Sequence, residues 1–148
     1  MERITWHFPP AISSRKLTRE SEQQLFYQLA IEFSDILNRN VQINNGLPIL
    51  FEDRVTLVHY QAKQFELTIN LRKDPEPIVN ISQLSVQPQN QGLGTKIVTH
   101  FLRRLSDTSY ERVILDTRND EDRRFWRSLG FKPSDRDWHL DWFFKIPH

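Results

Sequence analysis

Gly92 and Gly94 sit between two apolar runs, in Leu84-Ser85-Val86-Gln87-Pro88-Gln89-Asn90-Gln91-Gly92-Leu93-Gly94-Thr95. The order reads strand, loop, helix. Glycine removes side chains where a ligand must approach the backbone closely. A helix starting near Gly94 turns its unpaired N–H groups and positive dipole end toward an anion. Successive loop amides form an anion nest in the same way, and Thr95 adds a hydroxyl donor. The chemistry implied is the binding of a phosphate-bearing ligand. A P-loop is excluded, because no glycine lies five residues before either glycine, and the dinucleotide fingerprint is excluded because Ile97 stands where its third glycine belongs.

A second group lies downstream: Asn119, Asp122, Trp126, Gly130 and Phe131. Asn119 is a good helix N-cap, and Asp120, Glu121 and Asp122 in the first turn complement the helix dipole. Gly130 suits a helix C-terminus and Phe131 a core. Together, Val86-x-Pro88, Gln89-x-x-Gly92-x-Gly94 and the Asn119–Phe131 segment resemble the two motifs of the GNAT superfamily, the acyl-CoA-dependent N-acyltransferases. The likeness runs from Ile78 onward. Trp126 stands where the family has Tyr, and Asp122 where it has a small residue.

The resemblance implies acetyl-CoA or CoA as co-substrate, without a metal. It places Leu84, Val86, Gln89, Gln91, Gly92, Leu93, Gly94, Thr95, Asn119 and Trp126 around that molecule. It further implies that the pantetheine arm enters between the strand carrying Ile78–Val86 and the strand carrying Val113–Leu115, which splay apart. A backbone N–H near Val86 would polarise the thioester carbonyl. An amine attacking it has a pKa of about 10.4 and needs a proton acceptor. The strand 78–86 holds no Asp, Glu or His. Glu76, just before it, reads as a solvated loop residue, leaving a water held by Ser82, Gln83 or Ser85. Gln83, Ser85 and Trp126 are thus the candidate catalytic residues, with no base assigned. The Trp126 indole N–H either hydrogen-bonds the leaving thiolate or packs in the core. A CoA-binding module with weak or no catalysis is the alternative function.

These residues need a scaffold. Leu25, Phe26, Leu29, Ala30, Phe33, Ile36 and Leu37 predict an amphipathic helix with Thr18 or Ser21 as N-cap. Strands are expected at Arg3–Phe8, Pro48–Phe51, Val55–Tyr60, Phe65–Arg72, Ile78–Val86 and Val113–Leu115, and over the alternating Trp138–Ile146 stretch. Turns fall at Asn44-Asn45-Gly46 and Gln61–Gln64. Helices are expected from near Gly94 to Leu105 and over Asp120–Leu129. The fold class is α/β (α+β): a mixed, mostly antiparallel sheet with helices on both faces. One domain over 1–148 fits the length.

The chain contains no cysteine, which excludes disulfides, a thiol nucleophile and cysteine-ligated zinc. Its five histidines show no metal-ligand spacing. No signal-peptide pattern opens the chain and no apolar run spans a membrane, so a cytoplasmic protein is expected. Residues 1–74 carry 9 basic and 9 acidic residues, and 75–148 carry 11 and 10. That balance excludes the footprint of a general nucleic-acid binder, so nucleic acid is not expected as a partner. The expected partners are an acyl-CoA and an amine of a small molecule, peptide or protein. An aminoacyl-tRNA acceptor is the least favoured reading, resting on Arg103-Arg104 and the Arg123–Arg136 cluster. Homodimers are common in the family.

Overall fold

The computed structural model describes residues 19–44, 55–73, 76–89, 91–134 and 141–148. The strands expected at Arg3–Phe8 and Pro48–Phe51, the Thr18 cap, the Asn45-Gly46 part of the turn and Trp138–Leu140 lie outside them.

Helix α1 (Arg19–Leu37) buries Leu25, Phe26, Leu29, Ala30, Phe33 and Leu37, the stripe its 3.6-residue period predicts. Ser21 is inside its first turn, which corrects its expected capping role. The helix stops because Asn38 takes φ 54°, and the Arg39 N–H then donates to the Ser34 carbonyl. Asparagine tolerates this left-handed conformation better than other side chains.

Four strands follow: β1 (Gln42–Asn44), β2 (Val55–Ala62), β3 (Phe65–Arg72) and β4 (Ile78–Val86). After α2 (Leu93–Leu105) come β5 (Arg112–Leu115), α3 (Asp120–Ser128), β6 (Lys132–Pro133) and β7 (Trp142–Lys145). Strands β1 and β6 were not expected; each is too short to show a period. Among the described residues the strands form one sheet, ordered β1-β2-β3-β4-β5-β7-β6. All neighbours are antiparallel except β4 and β5.

Alternation puts Phe65, Leu67, Ile69 and Leu71 on the buried side of β3. Register carries the same face through Val58 and Tyr60, Val79 and Ile81, and Val113 and Leu115. Helices α1 and α2 pack on this face. Phe33 meets Tyr60 at 5.1 Å and Phe101 at 6.5 Å between ring centroids, and the Tyr60 hydroxyl donates to the Phe26 carbonyl at 2.7 Å. Trp126 of α3 joins the same cluster through Phe131. The described helices therefore meet one face of the sheet, and a second helical layer is not formed by the described residues. The opposite face of β3 and β4 is polar: Glu66, Thr68, Asn70, Ser82, Gln83 and Ser85.

Candidate functional site

Strands β4 and β5 pair only over Ile78–Asn80 and Arg112–Ile114. Beyond Asn80, β4 runs six more residues to Val86 without β5 alongside, so the two strands part toward their C-terminal ends. A β-bulge accompanies the parting. Thr68 pairs with Gln83 but Ile69 with Ile81, leaving Ser82 as the extra residue. A bulge bends and twists the strand that carries it. Ligands of open α/β sheets bind beyond the C-terminal ends of parallel strands, and this is such a place.

The glycine loop stands at that mouth. Gly92 has φ +76°, and a Cβ built on it would meet nothing within 4 Å. Its backbone therefore faces open space, and its conformation favours glycine. Gly94 has a different reason: its Cβ would lie 3.4 Å from the Phe125 ring, so it lets α2 start close against α3. Helix α2 has no side-chain cap, and its first backbone bond runs from Lys96 N–H to the Gly92 carbonyl at 3.0 Å. The N–H groups before it are left without helical partners at the mouth. Gln89, Gln91 and Thr95 are exposed around it, Leu93 is half-buried, and Leu84 and Val86 pack against the core. The structure thus brings the expected loop residues together.

Arg39, just past α1, ties this loop down. Its guanidinium donates to the carbonyls of Lys63 at 3.1 Å, Gln64 at 3.2 Å and Gln87 at 2.5 Å. Gln87 N–H donates to the Gln64 carbonyl at 2.9 Å. Arg39 carries no local signal in the sequence, since it stands 48 residues upstream of Gln87.

On the β5 side, Asn119 caps α3. Its Oδ1 accepts from Asp122 N–H at 2.9 Å, while Asp122 Oδ2 accepts from Arg118 N–H at 3.1 Å and Nε at 3.2 Å. Asp122 thus orders the turn after β5. Gly130 (φ +101°) ends the helix: its N–H donates to the Arg127 carbonyl and Phe131 N–H to the Trp126 carbonyl, both at 3.0 Å. This is the Schellman pattern. Trp126 is 7% exposed, with its ring 4.9 Å from Phe125 and 5.1 Å from Phe131. Of its two readings, these contacts describe core packing.

The other two candidate side chains are on the open polar face. Ser85 is exposed. Gln83 is held at both ends: Nε2 donates to Glu66 Oε1 at 2.9 Å, and Oε1 accepts from Thr68 Oγ1 at 3.4 Å. Ser82 Oγ donates to the Thr68 carbonyl at 3.2 Å. Behind Glu66 stands His59, whose Nε2 is 3.6 Å from Glu66 Oε2. A carboxylate and an imidazole therefore do lie beside β4, although β4 itself contributes neither. They come from β2 and β3, and only the register Thr68↔Gln83 and His59↔Thr68 reveals it. Glu76 lies 4.0 Å from Arg112 Nε at the opposite end of β4.

Residues 67–131 match the model of the acetyltransferase (GNAT) family, a span that contains both sequence motifs. Among solved structures, the AtaT-AtaR complex bound to DNA aligns with a TM-score of 0.51 at 21% identity, covering 61% of this chain and 68% of that chain. The fold is GNAT. The AtaTR structure with acetyl-CoA aligns at 15% identity and TM-score 0.48, covering 68% of this chain and 75% of that one. The KacTA–DNA complex aligns at 16% identity and TM-score 0.48, covering 64% and 69%. No curated protein matches the sequence. The resemblance to the GNAT superfamily therefore holds, and with it the mixed, mostly antiparallel sheet. The expectation that nucleic acid is not a partner is not borne out: a complex containing a protein of the GNAT fold is bound to DNA. A net charge near zero sums over the whole surface and leaves local basic clusters open. No helix among the described residues is long and apolar enough to cross a membrane.

Proposed function

We propose that this chain, a single domain over 1–148, is an N-acyltransferase that moves an acetyl group from acetyl-CoA to a primary amine by direct attack on the thioester. The observation that carries the reading is the parting of β4 and β5 after Asn80, with the Gly92 loop at its mouth. In this arrangement the pyrophosphate lies against the loop amides and the α2 N-terminus, where partial positive charge is fixed before the ligand arrives. The pantetheine follows the opening between Leu84–Val86 and the turn capped by Asn119. The unpaired edge of β4 then offers backbone N–H groups to the thioester carbonyl, stabilising the oxyanion without any side chain. Holding thioester and amine in line supplies much of the rate. A thiol of pKa about 8.5 leaves as the thiolate, so the chemistry proceeds with Trp126 in the core. The acceptor is an amine of a small molecule, peptide or protein, and the site of action is the cytoplasm.

The burial of Trp126 at the family's Tyr position favours one second reading, a CoA-binding module with little or no turnover. Thermal unfolding with acetyl-CoA, on the wild type and a Gly92→Glu/Gly94→Glu variant, tests both. At 100 times the dissociation constant, ligand adds about 2.7 kcal/mol of stability. That shift, lost in the variant, is the expected result; its absence from the folded wild type would remove both readings. Thiol release from acetyl-CoA across a panel of amines then separates enzyme from module.

A further inference from the structure

We propose that the Glu66–His59 pair on the open face of the sheet takes the proton from the attacking amine, with Gln83 as its positioning residue. The inference rests on the acyl-transfer reading and assigns the base that reading lacks. One face of β4 is closed by the core under α1 and α2. An amine reaching a thioester between β4 and β5 therefore comes from the other face, where Ser82, Gln83 and Ser85 are exposed. Glu66 lies over that stretch. Its side chain is 37% exposed and its carboxylate is anchored by Gln83 Nε2 at 2.9 Å, so one oxygen is fixed toward β4. Gln83 is fixed in turn through Thr68.

His59 supplies a second, independent observation. Its Nε2 is buried and makes no hydrogen bond, yet faces Glu66 Oε2 at 3.6 Å. A buried ring nitrogen without a partner is costly, and it is placed where a proton arriving on the carboxylate can be shared. Protonation of the pair converts a 3.6 Å gap into a charge-assisted hydrogen bond of about 2.8 Å. The step balances. The ammonium gives one proton to Glu66, shared with His59, and the freed nitrogen lone pair forms the C–N bond. The C–S bond breaks with its electrons on sulfur, the thiolate leaves, and the acylated nitrogen gives its second surplus proton to solvent as the neutral amide forms. The pair releases its proton to solvent before the next turn.

The test measures thiol release with saturating acetyl-CoA and a primary-amine panel, for wild type and the Glu66→Gln, Glu66→Asp and His59→Gln variants. Thermal unfolding with and without acetyl-CoA is run on each. General base catalysis contributes about 10² to 10⁴-fold, so Glu66→Gln should lose about 10²-fold or more in kcat. The acetyl-CoA shift and the KM for acetyl-CoA should stay at wild-type values, Glu66→Asp should recover part of the rate, and His59→Gln should lose about 10-fold. Glu66→Gln and His59→Gln both turning over within about twofold of wild type would overturn the pair and leave the acyltransferase intact. A wild type that binds acetyl-CoA but never turns over would overturn both, in favour of the module. No binding would remove the CoA site as well.

Discussion

Removing the Arg39 guanidinium should loosen the mouth of the site from behind. Arg39→Met keeps the aliphatic stem and deletes three hydrogen bonds, two from Nη1 and one from Nη2. The bonds to the Lys63 and Gln64 carbonyls are exposed, and together they contribute about 1 kcal/mol. The 2.5 Å bond to Gln87 is half-buried and charge-assisted, worth about 1.5 kcal/mol net. The expected loss is therefore about 2–3 kcal/mol, or roughly 5–10 °C in Tm for a chain of this size. The Gln87 bond also orders the segment leading into Gly92. If its 1.5 kcal/mol is what holds that segment in its binding shape, acetyl-CoA affinity falls up to about tenfold. Thermal unfolding and calorimetric titration with acetyl-CoA read the two effects separately. Arg39→Lys should behave much like Arg39→Met, because one ammonium cannot span three carbonyls. A Tm that falls while the dissociation constant stays unchanged would refute the link between clamp and loop. An unchanged Tm would refute the clamp itself.

Gly92→Ala should cost about 1–2 kcal/mol from its φ of +76° alone, since the added Cβ meets no atom within 4 Å. Gly94→Ala, at 3.4 Å from Phe125, should cost less, and the reverse order in urea unfolding would refute both assignments. Alkaline pH should unfold the protein cooperatively. Burial, reinforced by Glu32 at Tyr60 and Glu22 at Tyr110, pushes both hydroxyls above the ordinary value of 10.0. Below pH 10 both tyrosines are protonated folded or unfolded, and stability is unaffected. Above it the unfolded chain releases protons that the folded chain keeps, so stability falls as pH rises, by about 1.4 kcal/mol per unit for each tyrosine. Tyr60→Phe should flatten that slope, and Tyr60 phenolate absorbance appearing before unfolding would contradict it.

What the sequence determined by itself are the features set by neighbours along the chain. The stripe of α1, the alternation of β3, the strand ending at Val86, the helix starting near Gly94 and the Asn119 cap follow from short-range periodicity and backbone preference. The loop residues Gln89, Gly92 and Gly94 were readable for the same reason. Strands of two or three residues, such as β1 and β6, show no period and were not. Local pattern also misjudged Ser21, because a helix beginning at Arg19 has already passed it. Tertiary structure alone decided which residues meet across strands. Arg39 reaches Gln87 over 48 residues, and Glu66 reaches Gln83 over 17. Sheet register selects those partners, and register depends on every pairing of β2, β3 and β4 together with the bulge at Ser82. Trp126 shows the same division. Its place in a helix is local, but whether its indole meets a ligand or the core depended on Phe125 and Phe131 closing around it.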